Sequence, residues 1–399
     1  MRILIHDYPG FAFPIQLSRE LAKHGHKVLH LYAGYNITPR GPLNRNSTDP
    51  ECFSILPIFI REPLQKYSFV HRWRQEREYG QLLSSEIKKF QPDVMISANT
   101  PLDAQSNALK TAHKRDIRFV FWLQDLIGIA TKKILCKRIP IFGEIIGQYY
   151  IRLERQLLKQ SDQIVLITDD FLPLMQEWGV DGNRLSVIPN WATLEILTLK
   201  PKVNTWSSKW EFTDRFCFMY TGTLGMKHNP DLLLQLALHF DKDPGIIVIV
   251  VSEGPGVEWL KKQKENLSLE NLRLFDYQPF DQLSSVMGSA DVLVAILDPD
   301  AGVFSVPSKV MTYLCAQRPL LLAVPTENLA AKIVSQNKAG IVVPPKDVHS
   351  FIEAAERLVQ NTKLREEFAN NAKGYAEVHF DIQKIGDQFE AIIEKTTGD

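Results

Sequence analysis

Short apolar runs of strand length recur along this chain, and each hands over to a segment with helical spacing. Residues 2–5, "RILI", lead into "PIQLSRELAKHGH", with Pro14 near the start of a helix and Gly25 closing it. "KVLHLYA", "PDVMIS", "RFVFWLQD" and "QIVLIT" continue the series. Residues 73–90 place Tyr79, Leu82, Leu83, Ile87 and Phe90 on one helical face. Strands that are apolar on both faces suit a parallel sheet covered by helices on each side. The rhythm breaks at 192–212, where Lys, Pro, Asn, Ser and Trp occur without period. It resumes with "FCFMYTG", "IIVIVVSEG", "LRLFDY", "DVLVAIL" and "PLLLAV". The pattern predicts an α/β chain of two doubly wound, Rossmann-like domains. The expected divisions are 1–195, a linker at 196–212, a second domain at 213–375, and a last helix within 376–399 that packs back toward the first domain.

Composition narrows the function. The 399 residues carry no net charge, which argues against a nucleic-acid partner held by bulk charge. Residues 1–200 hold 26 Lys and Arg against 20 Asp and Glu, so the first half is basic and suits an anionic surface or substrate. Cys52, Cys136, Cys217 and Cys315 are far apart, which suggests neither a zinc ribbon nor a disulfide framework and fits a reducing cytoplasm. No run of 18 apolar residues is present to span a membrane. His24, His26 and His30 straddle a helix–strand turn and do not share a face, so no metal site is expected there.

In open α/β sheets ligands bind outside the carboxyl ends of the strands. Three loops of the second half fall at that edge. In "YTGTLGMKHN", Gly222 opens a turn, and Lys227 and His228 precede a helix. In "VSEGPG", Gly254 and Gly256 let backbone approach a ligand closely. In "AGVFSVPSKVMTYLCAQRPLLLAV", a helix opens at Pro307-Ser308, and Lys309 places a cation in its first turn. A cation there opposes the helix dipole unless an anion lies between them. Each loop alone is also read as an ordinary βα turn; three on one edge point to a phosphate site. In the first half, Asp125 ends "FVFWLQD" at the carboxyl edge, suited to orient or deprotonate a hydroxyl, or to cap a helix. Asn99 ends the preceding strand in the same way. Residues 130–160 mix basic residues with Ile, Leu, Phe and Tyr, the composition of an interfacial membrane patch or of an amphipathic helix with a solvated basic face.

The motifs "VIPNWA", "YTGTLGMKHNPDLLL", "VSEGPG", "QPFDQL", "SADVLVAI" and "VPSKVMTYLCAQRPLLLA" resemble those of retaining glycosyltransferases of family 4, of the bacterial exopolysaccharide and O-antigen type that includes colanic-acid and fucosamine transferases. The resemblance covers nearly the whole chain. It implies a GT-B fold, two Rossmann-like domains facing a central cleft. It also implies transfer of a sugar, with retention, from a nucleoside-diphosphate sugar to a glycan or lipid-linked acceptor, without cofactor or metal. The donor side would comprise Gly222, Thr223, Leu224, His228, Glu253, Gly254, Tyr277, Gln278, Ser305, Val306, Pro307, Ser308 and Thr312, with Lys227 and Lys309 beside the diphosphate. The acceptor side would comprise Tyr8, Pro9, Gly10, Phe11, Asn99 and Asn190, with Asp125 orienting the acceptor or acting as base. The implied location is the cytoplasm, with the inner membrane face added if residues 130–160 bind lipid.

Three departures stand out. Phe304 and Thr312 occupy the positions of the family's Glu-x7-Glu pair, and Thr223 that of an arginine. The N-terminal Gly-Gly loop is replaced by "YPGFAFP", with Gly10 alone. Losing the glutamates favours a second reading, a non-catalytic homologue that binds sugar nucleotide or glycan. A third reading is a partner for another transferase in a membrane complex. A dinucleotide oxidoreductase is disfavoured because "ILIHDYPGFAFP" lacks G-x-G-x-x-G.

Overall fold

The structure is a computed structural model that describes residues 1–35, 41–65, 68–195, 197, 199–297 and 308–398; the side chains of Phe69, Arg138 and Lys227 fall outside it. The chain forms two compact units, one of residues 1–190 and 382–398, the other Trp191–Asp381.

Unit 1 runs β1 (Arg2–Asp7), α1 (Ala12–Lys23), β2 (Lys27–Ala33), β3 (Phe53–Ile58), α2 (Phe69–Phe90), β4 (Val94–Ala98), α3 (Leu102–His113), β5 (Arg118–Leu123), α4 (Ile127–Arg138), α5 (Pro140–Gln160), β6 (Gln163–Leu166), α6 (Leu172–Glu177) and β7 (Leu185–Val187). All pairings are parallel, in the order β3-β2-β1-β4-β5-β6-β7. Ile3 of β1 lies between Val28 and Val94, and all three are fully buried. The sequence pattern missed β3, "FSILPI". Its burial alternates and Pro57 interrupts it, as suits an edge strand whose outer side needs no ladder.

Unit 2 runs α7 (Thr205–Lys209), β8 (Phe216–Thr221), α8 (Asp231–His239), β9 (Ile246–Val251), α9 (Pro255–Leu267), β10 (Leu272–Phe275), α10 (Leu283–Gly288), β11 (Val292–Ile296), α11 (Ser308–Cys315), β12 (Leu320–Ala323), α12 (Leu329–Gln336), β13 (Gly340–Val343), α13 (Val348–Gln360) and α14 (Thr362–His379). Its parallel sheet has the order β10-β9-β8-β11-β12-β13. Phe218 of β8 pairs with Val248 on one side and Val292 on the other. In each unit the first sheet strand is thus flanked by the strand that follows it and by one that returns on its other side. This reversal is the topological switch point, where diverging connections leave room at the carboxyl edge.

The stretch read as a linker at 196–212 is partly built into unit 2. Asn204 caps α7, its Oδ1 accepting from Trp206 N at 2.8 Å and Ser207 N at 3.2 Å, while Asn204 N donates to Ser207 Oγ at 2.9 Å. Trp206 is buried against Phe212 and Phe275. Arg318 donates to the carbonyls of Lys200, Gly288 and Ala290. Composition hid this because a short capped turn anchored by one tryptophan has no period.

α15 (Ile382–Thr397) belongs to unit 1 and lies on α1. Phe389 is fully buried, its ring 4.8 Å from that of Trp122 on β5. Glu390 meets His24 Nδ1 and, at 3.0 Å, His26 Nε2; His30 instead contacts Ser18 Oγ at 2.8 Å. The three histidines therefore serve packing contacts. Phe389→Ala is expected to lower the stability of unit 1 by about 3–5 kcal/mol, the usual cost of emptying a buried aromatic site. The measurement is urea unfolding followed by tryptophan fluorescence, with Val378→Ala, at an exposed site, leaving the curve in place. An unmoved transition for Phe389→Ala would show that α15 does not stabilise the unit.

Candidate functional site

At the switch point of unit 2, β8 ends in a turn made possible by a glycine. Gly222 has φ +102°, a conformation that side chains rarely adopt, and a Cβ there would come within 3.2 Å of Lys309 Cε. The turn is held by backbone and side chain together. Gly222 N donates to Val251 O at 3.1 Å, and Ser252 Oγ donates to Gly222 O at 2.6 Å. The next loop locks onto it: Leu224 N donates to Glu253 O at 3.1 Å, and Gly256 N to Leu224 O at 2.9 Å. A Cβ on Gly254, φ +121°, would sit 2.9 Å from Leu224 O, so this position also requires glycine. Two of the three loops singled out in the sequence thus form one framework.

The third contributes the charge. α11 begins at Ser308, which is exposed, and Lys309 reaches back toward the Gly222 turn. Its Nζ stands 3.7 Å from the centre of the Tyr220 ring. That Nζ is shielded from water and has no hydrogen-bond acceptor among the described residues. Burial pushes its pKa down to about 7. One turn along, Tyr313 fixes α11 to β8: Thr221 N donates to Tyr313 Oη at 2.8 Å, and Oη donates to Thr221 O at 3.1 Å. Thr312, between buried Met311 and Tyr313, is three residues beyond Lys309. A cation with ring contact but no acceptor among the described residues, beside a glycine turn at a helix start, is suited to hold an anion.

The remaining donor-side residues divide. Thr223 is exposed, its Oγ1 2.6 Å from the Tyr277 hydroxyl, and Glu253 is exposed beside them. His228 Nδ1 accepts from Gly225 N at 3.0 Å, which shapes the loop. The Leu224 side chain is fully buried in the core, so its backbone alone is left to face a ligand. Gln278 is turned to structural use, its Oε1 accepting from Trp206 Nε1 at 3.3 Å and its Nε2 donating to Asp276 O at 2.9 Å. Ser305, Val306, Pro307 and Phe304 lie outside the described residues, as does the Lys227 side chain. Tyr220, Ser252 and Tyr313 were not assigned from sequence. Each lies in or beside a quoted motif, but only the contacts show its use.

In unit 1 the strand ends carry polar groups. Asp7 closes β1; its Oδ2 accepts from Phe11 N at 2.6 Å, and Gly10 N donates to Asp7 O at 3.2 Å. Asp7 is fully buried, its Oδ1 has no partner among the described residues, and burial raises its carboxyl to about 7. His6 is driven the other way by burial, to about 3, and is held by Tyr79 Oη at 2.8 Å and Thr100 Oγ1 at 3.0 Å. The Tyr8 hydroxyl meets that of Tyr35 at 2.9 Å, while Pro9 continues the turn to Gly10. Asn99, φ +46°, donates from Nδ2 to Gln124 Oε1, and Gln124 Nε2 is buried without a partner among the described residues. Asp125 follows with its side chain exposed. Asn190 ends the first segment of unit 1, its Oδ1 buried without a described partner.

Glu154 was missed entirely. It is buried on α5, and its Oε2 accepts from Gly128 N at 3.1 Å at the start of α4. Burial raises its carboxyl to about 8, backbone donors oppose this, and the nearby Asp125 charge adds to it. A single carboxylate in an amphipathic run reads as surface; only the closeness of α4 makes it internal.

Residues 14–195 match the model of Glycosyltransferase Family 4, and residues 203–375 that of Glycosyl transferases group 1. The probable glycosyltransferase WbjE of Pseudomonas aeruginosa is 23% identical over 197 residues, 49% of this chain and 49% of WbjE, so the match spans about half of that relative. Among solved structures, HepE of Anabaena in complex with UDP is similar with a TM-score of 0.73 at 14% identity, covering 99% of this chain and 100% of HepE. WaaG, a glycosyltransferase involved in lipopolysaccharide biosynthesis, gives a TM-score of 0.69 at 14% identity over 100% of both chains. At such identities the likeness establishes the fold, which is GT-B. With a family 4 domain followed by a group 1 domain, the chain is a glycosyltransferase of the family 4 type.

Proposed function

We propose that the protein takes a sugar from a nucleoside-diphosphate sugar held on unit 2 and transfers it, with retained configuration, to a glycan or lipid-linked acceptor held on unit 1. The observation that carries the donor half is Lys309, an ammonium without an acceptor among the described residues, beside the Gly222 turn. The UDP in HepE makes UDP the first nucleotide to test, and the involvement of WaaG in lipopolysaccharide biosynthesis favours cell-surface polysaccharide synthesis. In the reaction the bond between the anomeric carbon and the diphosphate oxygen breaks, and its electron pair leaves with the diphosphate. Lys309 and Lys227 stabilise that charge in place of a metal ion. The acceptor oxygen bonds the anomeric carbon from the same face. Its proton passes to the departing phosphate oxygen or to Asp125, which otherwise orients the acceptor. Thr312, where the family has glutamate, gives the ribose a neutral hydrogen bond. A neutral bond is worth about 0.5–1.5 kcal/mol against 1.5–3 for a charged one, so donor affinity is weakened but not abolished.

Lys309→Ala is expected to cut kcat/KM for the sugar nucleotide about a hundredfold, the scale of losing one preorganised charge contact. The assay is release of nucleoside diphosphate from UDP-sugars with lipid-linked oligosaccharide acceptors, with EDTA leaving the rate unchanged. Nucleotide binding without consumption of any sugar nucleotide would reject the transferase and favour the binding homologue.

The Lys309 pKa also fixes a pH dependence. The anion needs the protonated amine, which the free protein keeps below about pH 7. Above that pH, binding must take up a proton, so donor affinity falls as pH rises. Calorimetry at pH 8 in two buffers of different ionisation enthalpy should show proton uptake that disappears in Lys309→Met. Equal heats in both buffers for the unaltered protein would contradict the assignment.

A further inference from the structure

The α4–α5 hairpin leaves bulky apolar side chains in solvent. Ile134, Ile139, Ile141, Phe142, Ile145 and Tyr149 are 56%, 45%, 78%, 68%, 65% and 55% exposed. On α5, Ile141, Phe142, Ile145 and Tyr149 occupy one arc, at helical spacings of one, four and eight. The opposite arc is made of glycine. A Cβ on Gly143 would stand 2.4 Å from the Leu135 carbonyl carbon, and one on Gly147 would stand 2.6 Å from Lys132 Cβ. The hairpin therefore closes on its smallest residues, α4 backbone against α5 backbone, and its largest are turned outward. Apolar residues scattered over a surface need no explanation, but a contiguous ridge opposite a glycine seam marks an interaction face.

Charge identifies the occupant. Residues 127–153 contain Lys132, Lys133, Lys137, Arg138 and Arg152 against the one acid Glu144. Glu144 is occupied within the hairpin, at 2.7 Å from Lys132 Nζ and 3.2 Å from Gln148 Nε2. Lys133 and Lys137 are exposed on α4 beside the ridge. A two-fold contact between copies of this chain would bring two such basic faces together, at an electrostatic cost. An anionic lipid surface meets both features, taking the ridge into the acyl boundary and the lysines among the headgroups. We propose that the outer face of the α4–α5 hairpin docks on an anionic membrane, with α5 lying in the interface. Its position has a consequence. Glu154 ties α5 to the start of α4, three residues after Asp125, so the docked hairpin holds that carboxylate next to the lipid-facing element.

The test is co-sedimentation with phosphatidylcholine vesicles, with and without phosphatidylglycerol. The protein should sediment with the anionic vesicles, and high salt should release it. Phe142→Ser/Ile145→Ser should weaken partitioning about tenfold or more, from the apolar area removed. Lys133→Glu/Lys137→Glu should do the same at low salt, and none of the four exposed sites should shift the thermal transition. Absence of vesicle binding by the unaltered protein would overturn the proposal, as would binding by both double variants as strong as that of the unaltered protein. A dimer in sedimentation equilibrium that Phe142→Ser/Ile145→Ser dissolves would assign the ridge to a second copy and would also overturn it. The vesicles carry neither donor nor acceptor, so this outcome is separate from sugar transfer. A protein that docks but consumes no sugar nucleotide would refute the proposed function and leave the docking face intact.

Discussion

An ammonium group held out of water, without an acceptor among the described residues, is the constraint around which this edge of unit 2 is arranged. Desolvation favours its neutral form, and only the Tyr220 ring offsets this among the described residues. A chain stabilised by its own contacts alone would gain from an apolar residue there. The position makes sense when an anion completes it. The neighbouring choices then follow: Gly222 because any Cβ would crowd Lys309, Ser252 because it holds the turn's carbonyl, and Tyr313 because it fixes α11 against β8.

The two sheets repeat one plan, a central first strand with connections diverging on its two sides, yet use it for different chemistry. In unit 2 the switch point gathers glycine turns and a cation. In unit 1 it gathers Asp7 at the end of β1 and Asn99 at the end of β4, amide and carboxyl groups suited to hydroxyls. Burial there moves neighbouring groups in opposite directions, His6 down to about 3 and Asp7 up to about 7, so His6 is neutral near pH 7 while Asp7 is shared between its protonated and ionised forms. One architecture thus presents an edge of glycine turns and a cation and an edge of buried amide and carboxyl groups, separated in the chain.

Much of this was legible because strands buried on both faces leave continuous apolar runs, and because a Pro-Ser pair announces the start of α11. What stayed hidden was structure without period. β3 alternates and contains Pro57; β13 is only four residues long; α7 depends on one cap and on Trp206. At the sites, the glycines and Lys309 could be found from spacing, since their types are tied to backbone geometry and charge. Glu154 could not, because its role comes from a helix that happens to lie close. Leu224 and Gln278 sat inside the right motifs but turn to the core and to Trp206, a choice that motif matching does not resolve.

A crystal structure with UDP tests the proposed position of the diphosphate most directly. Phosphate density is expected against the Gly222 turn and within hydrogen-bond distance of Lys309 Nζ. Density for the nucleotide elsewhere, with Lys309 still lying over Tyr220 and without a ligand, would contradict it.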